Sequence, residues 1–252
     1  MLDYYYIDLY FDPARTKFGE VVSSCITSLT GAGCRFEKVT MSNPRASGYV
    51  NFGEHVALTP TDLPGVASAY VAEMRQDGQR LVSFPPLGRI MFSYSFRLDE
   101  NLLEDIHEEE DESHSSSEDM GLTFLYSADA GSGGLIKASL SFWEEYILKN
   151  GDPAVQVQNM SDILGMIVRI SAKTPPFFGA MNTEIHLNTD ASLELLNKGM
   201  LPEGNEFIVV GGALMPRLDM KALKEKGYHL GSLPDGGAII QMADKWSGLK
   251  AV

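Results

Sequence analysis

The arrangement of apolar and polar residues predicts a chain of short strands with a few amphipathic helices. Residues 4–11 are dominated by aromatic and β-branched side chains, which favour a strand, and Asp8 is the one charged interruption. Residues 16–29 instead place apolar side chains three and four positions apart, the spacing of a helix with one buried face. Gly31 and Gly33 then predict the end of that helix.

The middle of the chain predicts a meander of three strands. Residues 90–97 and 135–142 alternate apolar and small polar side chains, which is typical of half-buried strands. Residues 120–126 resemble the first of these segments. We therefore expect 90–97 and 122–128 to pair as antiparallel neighbours, with 135–142 as the third strand, at the centre of a sheet.

The second half of the chain continues to mix strands with single helices. Ser161 can cap a predicted helix over 161–172, which the Pro175-Pro176 pair would end. The turn 234–237 (PDGG) predicts a hairpin, and the glycines at 211 and 212 indicate a bulge or a close backbone approach. Further predicted strands are 35–41, 177–187, 207–215, 228–233 and 238–242, and further predicted helices are 61–74, 191–198 and 219–226.

This order of elements predicts an α+β fold with a mostly antiparallel sheet flanked by helices. Residues 1–252 would form a single domain or two tightly packed lobes, 1–98 and 120–252, separated by the segment 99–119. That segment holds eleven Asp or Glu and no Lys or Arg, and we call it the acidic stretch. A block of like charge with few apolar side chains cannot bury enough surface to offset the entropy of ordering it, so we expect a long flexible loop inserted between strands.

The acidic stretch also carries most of the net charge of the chain. The formal net charge is −14, and only about −3 of it lies outside the acidic stretch. A carboxylate-rich loop on a nearly neutral scaffold can associate rapidly with a basic protein surface, in a salt-sensitive way. The densest carboxylates are therefore the candidate partner-binding residues, although a solvated loop with no partner is the plainer alternative. They are Glu108, Glu109, Glu110, Asp111 and Glu112.

Composition also narrows the class of protein. A pI near 4.7 disfavours nucleic acid and anionic membranes as direct ligands, because like charges repel. No window approaches the roughly 20 apolar residues of a membrane helix, and Asp3 and Asp8 interrupt the apolar run of the N-terminus, unlike a signal peptide. Cys25 and Cys34 could form one disulfide, but we expect them to be reduced and the protein to be cytoplasmic.

Candidate chemistry is sparse. Glu184 and His186 would share one face of a strand, and with Asp190 and His229 they could form a metal or acid–base cluster. An exposed polar strand face is the interpretation we favour. Since the chain also lacks a nucleophile elbow and paired metal-ligand spacing, we expect no catalytic residue, no metal and no cofactor.

Several segments resemble bacterial immunity proteins, most closely the immunity protein 52 family of polymorphic toxin systems. They are residues 4–10 (YYYIDLY), 176–184 (PFFGAMNTE), 201–202 (LP), 207–217 (FIVVGGALMPR) and 233–241 (LPDGGAIIQ). The resemblance implies a cytoplasmic antidote, without enzymatic activity, to a toxin delivered by a type VI secretion system. It implies as partner a toxin with a basic surface, often a nuclease of restriction-endonuclease fold, blocked by stoichiometric binding.

Two other classes of function stay open at this point. The chain could be an effector chaperone or adaptor that holds a secreted protein without inhibiting it. Less favoured is a metal-dependent enzyme that uses Glu184, His186 and His229. A homodimer formed through a sheet edge is a further expectation, because the edges of antiparallel sheets often pair.

Overall fold

The computed structural model of the chain describes residues 4–42, 52–55, 58–68, 89–97, 120–127, 134–143, 152–182 and 189–241. The strands in these ranges are β1 (Tyr4–Phe11), β2 (Arg35–Ser42), β3 (Phe52–His55), β4 (Ile90–Ser93), β5 (Met120–Ser127), β6 (Leu135–Trp143), β7 (Phe178–Asn182), β8 (Phe207–Val210), β9 (His229–Ser232) and β10 (Ala238–Gln241). The helices are α1 (Phe18–Gly31), α2 (Pro153–Lys173), α3 (Thr189–Asn197) and α4 (Met220–Glu225), with a 3₁₀ turn at Met215–Arg217.

The strands form one sheet in the order β3-β2-β4-β5-β6-β1-β7-β8-β10-β9. Every neighbouring pair among the described strands is antiparallel, and the fold is α+β, as the sequence predicts. The meander β4-β5-β6 is confirmed, but only its last strand, β6, lies at the centre of the sheet. β1 is the other central strand, because it pairs with β6 on one side and with β7 on the other. How the chain divides into domains stays a prediction.

One face of the sheet packs against α1 and α2. Alternation along β1 sends Tyr5, Ile7, Leu9 and Phe11 to this face, and each of them is fully buried. The helices meet these side chains with apolar residues at helical spacing, which are Val21, Val22, Cys25 and Leu29 on α1 and Ile163, Leu164, Ile167 and Ile170 on α2. This main core extends over both halves of the sheet.

A second core lies on the opposite face, over β7, β8 and β10. Tyr10 points to this side of β1, and its ring stacks on Phe178 with centroids 4.6 Å apart. The other buried members come from the strands, from α3 and from the segment that contains α4; they are Leu196, Ile208, Val210, Leu214, Leu218, Leu223, Ala238 and Ile240. The second core is therefore confined to one half of the sheet.

The largest correction to the predicted elements concerns α2. This helix begins at Pro153, not at Ser161, and Asp152 caps it by accepting the Ala154 N–H at 2.8 Å. Ser161 lies within the helix. Proline at the first helical position lacks only an N–H that would have no intrahelical partner, so Asp152-Pro153 is a strong start signal. Polar residues between 156 and 162 dilute the apolar period and conceal it.

Two predicted strands are shorter in the structure. The strand expected over 90–97 ends at Ser93, and the one expected over 207–215 ends at Val210. Gly211 ends the latter, because a Cβ there would lie 2.2 Å from the carbonyl oxygen of Pro176. The hairpin predicted around 234–237 is confirmed by the pairing of β9 with β10. None of the helices in the described ranges is long and apolar enough to cross a membrane.

Candidate partner-binding site

The acidic stretch joins two neighbouring strands. β4 and β5 pair in antiparallel register, with Phe92 opposite Met120, as the sequence predicts. The chain therefore leaves the sheet after Ser93 and returns to it at Met120, beside the point of exit. The stretch itself, with the candidate residues Glu108, Glu109, Glu110, Asp111 and Glu112, lies outside the described residues, so its partner-binding role stays a prediction.

Residues 94–97, which we call the stem, are attached to α2 by a side-chain amide. Asn159 donates from Nδ2 to the carbonyl oxygen of Arg97 at 2.9 Å and accepts the Arg97 N–H at Oδ1, at 3.0 Å. Asn159 is completely buried. One primary amide thus satisfies both backbone groups of one residue, as a neighbouring strand would. The backbone that leads into the acidic stretch is held in place at Arg97.

Two aromatic residues attach the stem further. Phe96 is buried, with its ring centroid 4.8 Å from that of Tyr94 and 6.5 Å from that of Phe142 in β6. Burial, followed by the charge of Asp162 and a hydrogen bond with it, raises the pKa of Tyr94 to about 12. Asp162 also accepts a hydrogen bond from Gln158 at 2.9 Å, within α2. The stem is therefore fixed by packing as well as by the Asn159 bonds.

The sheet face on the other side from α1 carries buried charge near its middle. The Lys137 ammonium lies 2.6 Å from Asp8 Oδ2, and their side chains are only 12% and 5% exposed. The same ammonium lies 5.9 Å from the ring centroid of Tyr10. Asp8 Oδ1 has no hydrogen-bond partner among the described residues. Each of these charges would be strongly unfavourable at this depth without the other.

A second cation lies across the same face. Arg89 donates from a terminal nitrogen to Ser141 Oγ at 3.2 Å. Gly121, opposite Ser141 in the β5–β6 register, leaves room for it, because a Cβ at 121 would lie 2.2 Å from Arg89 Nε. The glycine is needed here for close approach of a side chain and not for an unusual backbone angle. The charged groups described on this face therefore have partners on the same face, Asp8 for Lys137 and Ser141 for Arg89.

Three of the five segments that carry the immunity-protein resemblance, 176–184, 207–217 and 233–241, meet at one end of the sheet. The carboxylate of Asp235 accepts the Gly212 N–H at 2.9 Å and the Gly237 N–H at 3.0 Å, and so fastens the β9–β10 turn to the end of β8. Pro176 and Phe177 lie against Gly211. The close backbone approach predicted for these glycines is confirmed. A cavity of about 200 Å³ beside them is also lined by Asp12, Arg15 and Thr16.

The described residues give no support to a metal or acid–base site at Glu184, His186 and His229. Glu184 and His186 lie outside them, and His229 is exposed on the last strand of the sheet. Within the described ranges, no group of three His, Cys, Asp or Glu side chains could hold a metal ion. Cys25 and Cys34 are free thiols, and burial raises the pKa of each to about 12, far above the range of a reactive cysteine.

The comparisons with known proteins are sparse. No protein-family model and no curated protein matches the chain. Among solved structures, the chain is similar to a T6SS protein of Pseudomonas aeruginosa, PA0821, with 11% identity and a TM-score of 0.47. The alignment covers 96% of this chain and 65% of that one, so the chain spans slightly less than two thirds of that structure. This likeness assigns no function to any residue, and the immunity-protein resemblance therefore rests on the sequence segments themselves.

Proposed function

We propose that the chain is an immunity-type binding protein, which neutralises a secreted toxin by forming a stoichiometric complex with a basic surface of that toxin. The observation that carries the proposal is the position of the acidic stretch. The connection between two adjacent strands holds eleven carboxylates and no Lys or Arg. The stem that precedes this connection is attached to α2 through Asn159. A short turn would be enough to connect such strands.

The chemistry of a nuclease toxin suits this partner. A nuclease must attract phosphate groups with a basic cleft, and a series of carboxylates can compete for the same cations. Attraction between such surfaces accelerates association at low salt and weakens once the Debye length falls, to about 8 Å at 0.15 M salt. The sequence resemblance supplies the toxin class and the type VI secretion context; the charge pattern supplies the mode of recognition.

The attached stem also affects the free energy of binding. A segment that must be ordered during binding loses conformational entropy, and this loss reduces affinity. Because Arg97 and Met120 are held by Asn159 and by strand pairing, the described residues that flank the acidic stretch need no further ordering. The stem thus lowers the entropic cost of presenting the carboxylates to a partner.

The test is titration of the protein with the toxin encoded beside it, between 50 and 500 mM NaCl, over which the Debye length falls about threefold, with toxin activity measured on the same samples. A variant with Glu108, Glu109 and Glu110 changed to Gln is compared with one in which Glu194, Glu203 and Glu225 are changed. The two variants have the same net charge. We expect binding to weaken roughly tenfold or more in the first variant at low salt and less than about twofold in the second.

Each result bears on a different part of the proposal. Binding that leaves the toxin fully active would replace inhibition with the adaptor function. Inhibition with equal affinity in both variants would move the interface from the acidic stretch to the folded surface. No binding at any salt concentration would refute the proposal.

A further inference from the structure

The segment around α4 is basic, although the chain as a whole is acidic. Residues 215–229 contain four Lys or Arg and two Asp or Glu, in a chain of net charge −14. All four cations, which are Arg217, Lys221, Lys224 and Lys226, are exposed. We call these four side chains, together with Met200, the basic surface.

Both acidic residues of the segment are engaged by their neighbours. Asp219 caps α4 by accepting the N–H groups of Lys221 and Ala222 at Oδ1, at 3.1 and 2.9 Å. Glu225 lies 3.7 Å from the Lys221 ammonium, in an ion pair whose side chains are 86% and 67% exposed. A pair this exposed contributes little and exchanges readily with other carboxylates. The segment therefore has a formal net charge of about +2.

An apolar side chain lies at the border of these cations. Met200 is 54% exposed, and among the described residues it is the one large apolar side chain with so much contact to solvent. Gly199 packs against the 3₁₀ turn, since a Cβ there would lie 2.5 Å from the carbonyl oxygen of Arg217. Arg217 in turn donates to the side chain of Asn197. The backbone at Gly199, the residue before Met200, is thus held against Arg217 by the packing of α3 on the turn.

We propose that the basic surface is a second docking site, separate from the acidic stretch, and that its partner is an acidic peptide segment with an apolar side chain. Charge complementarity selects the acidic residues, and Met200 offers the soft, adaptable contact that methionine supplies at binding surfaces. A short peptide senses only charges within about one Debye length, roughly 8 Å. A long polyanion such as DNA would also meet the net charge of −14, so the peptide is the better match.

The second core fixes where the basic surface stands relative to the strands that the acidic stretch joins. Leu223 of α4 packs into that core over β8 and β10, whereas the acidic stretch joins β4 and β5. β5 and β8 are four places apart in the strand order, which is roughly 19 Å at about 4.8 Å per strand. Because the chain's own acidic stretch can compete for the basic surface, the test includes a variant without those carboxylates, and it needs no toxin.

The probe is a fluorescent synthetic peptide with the sequence of residues 99–119, which combines eleven acids with Leu102, Leu103 and Ile106. It is titrated by anisotropy against the full chain and against a full-length variant whose own eleven acids in 99–119 are changed to Asn or Gln. The second protein removes competition from the chain's own acidic stretch. The comparison ligands are the same peptide with its eleven acidic residues changed to Asn or Gln, and a 21-nucleotide oligo(dT).

Two triple variants decide where the peptide binds. K221Q/K224Q/K226Q removes three cations from the basic surface, and the matched control R15Q/K17Q/R35Q removes three from elsewhere. We expect the first to weaken binding roughly tenfold or more at 50 mM salt (a Debye length of about 14 Å), Met200→Ser about threefold, and the control less than twofold.

Three results would overturn the inference. One is absence of peptide binding to both full-length proteins. Another is equal weakening by the two triple variants. The third is oligo(dT) binding as tight as peptide binding and unaffected by Met200→Ser, which would describe a general polyanion site. None of these results involves the toxin, so the proposed function would be unaffected by them.

Discussion

The face of the sheet opposite α1 has two unlike halves, which meet at β1. Over β7, β8 and β10 it is apolar and forms the second core with α3 and α4. Over β6, β5 and β4 it carries Lys137, Ser139, Ser141 and Ser93 instead. β1 contributes to both, since Tyr10 belongs to the apolar half and Asp8 pairs with Lys137 of the polar half.

The two halves stabilise the fold through different interactions. Apolar burial is non-directional and contributes roughly 25 cal/mol for each Å² removed from water. Buried ions contribute little net stability compared with apolar groups of similar size, but losing one partner is strongly unfavourable. The Asp8–Lys137 pair therefore joins β1 to β6 within the polar half, and this is the half to which the acidic stretch is joined. The following changes test that division, in order of expected effect.

Breaking the buried ion pair should have the largest effect. Lys137→Ala leaves the Asp8 carboxylate buried at 5% exposure without its cation, and we expect a loss of about 3–5 kcal/mol in the free energy of unfolding, measured with urea. The double variant Asp8→Leu/Lys137→Met should recover all or most of that loss. A loss of less than about 1 kcal/mol in the single variant would contradict the buried pairing.

Removing the stem amide should have the next largest effect. Asn159→Ala takes both side-chain partners from Arg97, and we expect a loss of about 2–3 kcal/mol together with faster hydrogen exchange at the Arg97 amide. Gln158→Ala is the control, since it removes only a bond to Asp162 along the helix, a change of about 0.5 kcal/mol or less. Unchanged exchange at Arg97 would show that Asn159 does not hold the stem.

Removing the Asp235 carboxylate, at the end of the apolar half, should have a smaller effect. Asp235→Ala removes the acceptor of the Gly212 and Gly237 N–H groups. Because Asp235 is partly exposed, water can replace some of these bonds, and we expect a loss of about 1–2 kcal/mol in urea unfolding. A loss greater than that of Lys137→Ala would reverse the ranking of the two halves.

The smallest effect should depend on pH. Hydrogen bonds from Ser93 and then Arg35 hold the pKa of Glu37 below its ordinary value. A lowered pKa in the folded state adds stability above the unfolded-state pKa, and this stability disappears as pH falls through the lowered value. Glu37→Gln should therefore reduce stability at pH 7 by less than about 1 kcal/mol. Thermal unfolding should show the difference vanishing in acid; a difference that grows in acid would contradict the assignment.

Local patterns in the sequence predicted much of the fold. Aromatic and β-branched composition gave β1, alternation gave β6, and the likeness of 120–126 to 90–97 gave β5. The turn chemistry of 234–237 gave the last hairpin. Longer-range partners gave no local signal. Asn159 and Arg97 are 62 residues apart, and Asp8 on β1 pairs with Lys137 on the neighbouring strand β6. Asp8 did stand out as a charge within an apolar run, but the sequence could not indicate which cation would pair with it.

The candidate site was predictable to a similar extent. Counting charges located the acidic stretch, and alternation on either side of it gave the β4–β5 pairing. The stem was mistaken for the end of a strand, because Tyr94 and Phe96 alternate with small and polar residues as strand residues do. Their actual partners belong to α2 and β6, which no pattern within 90–97 indicates.

The register of Phe92 opposite Met120 has a consequence for how such a protein can change over evolutionary time. The pairing of β4 with β5 holds the two ends of this connection together, so the length and sequence of the acidic stretch can vary while the core keeps the same contacts. Doubling the length of a flexible connection costs only about 0.6 kcal/mol in closure entropy. Under the proposed function, the acidic stretch can therefore change in sequence as new toxins are met, while the sheet and its core stay the same.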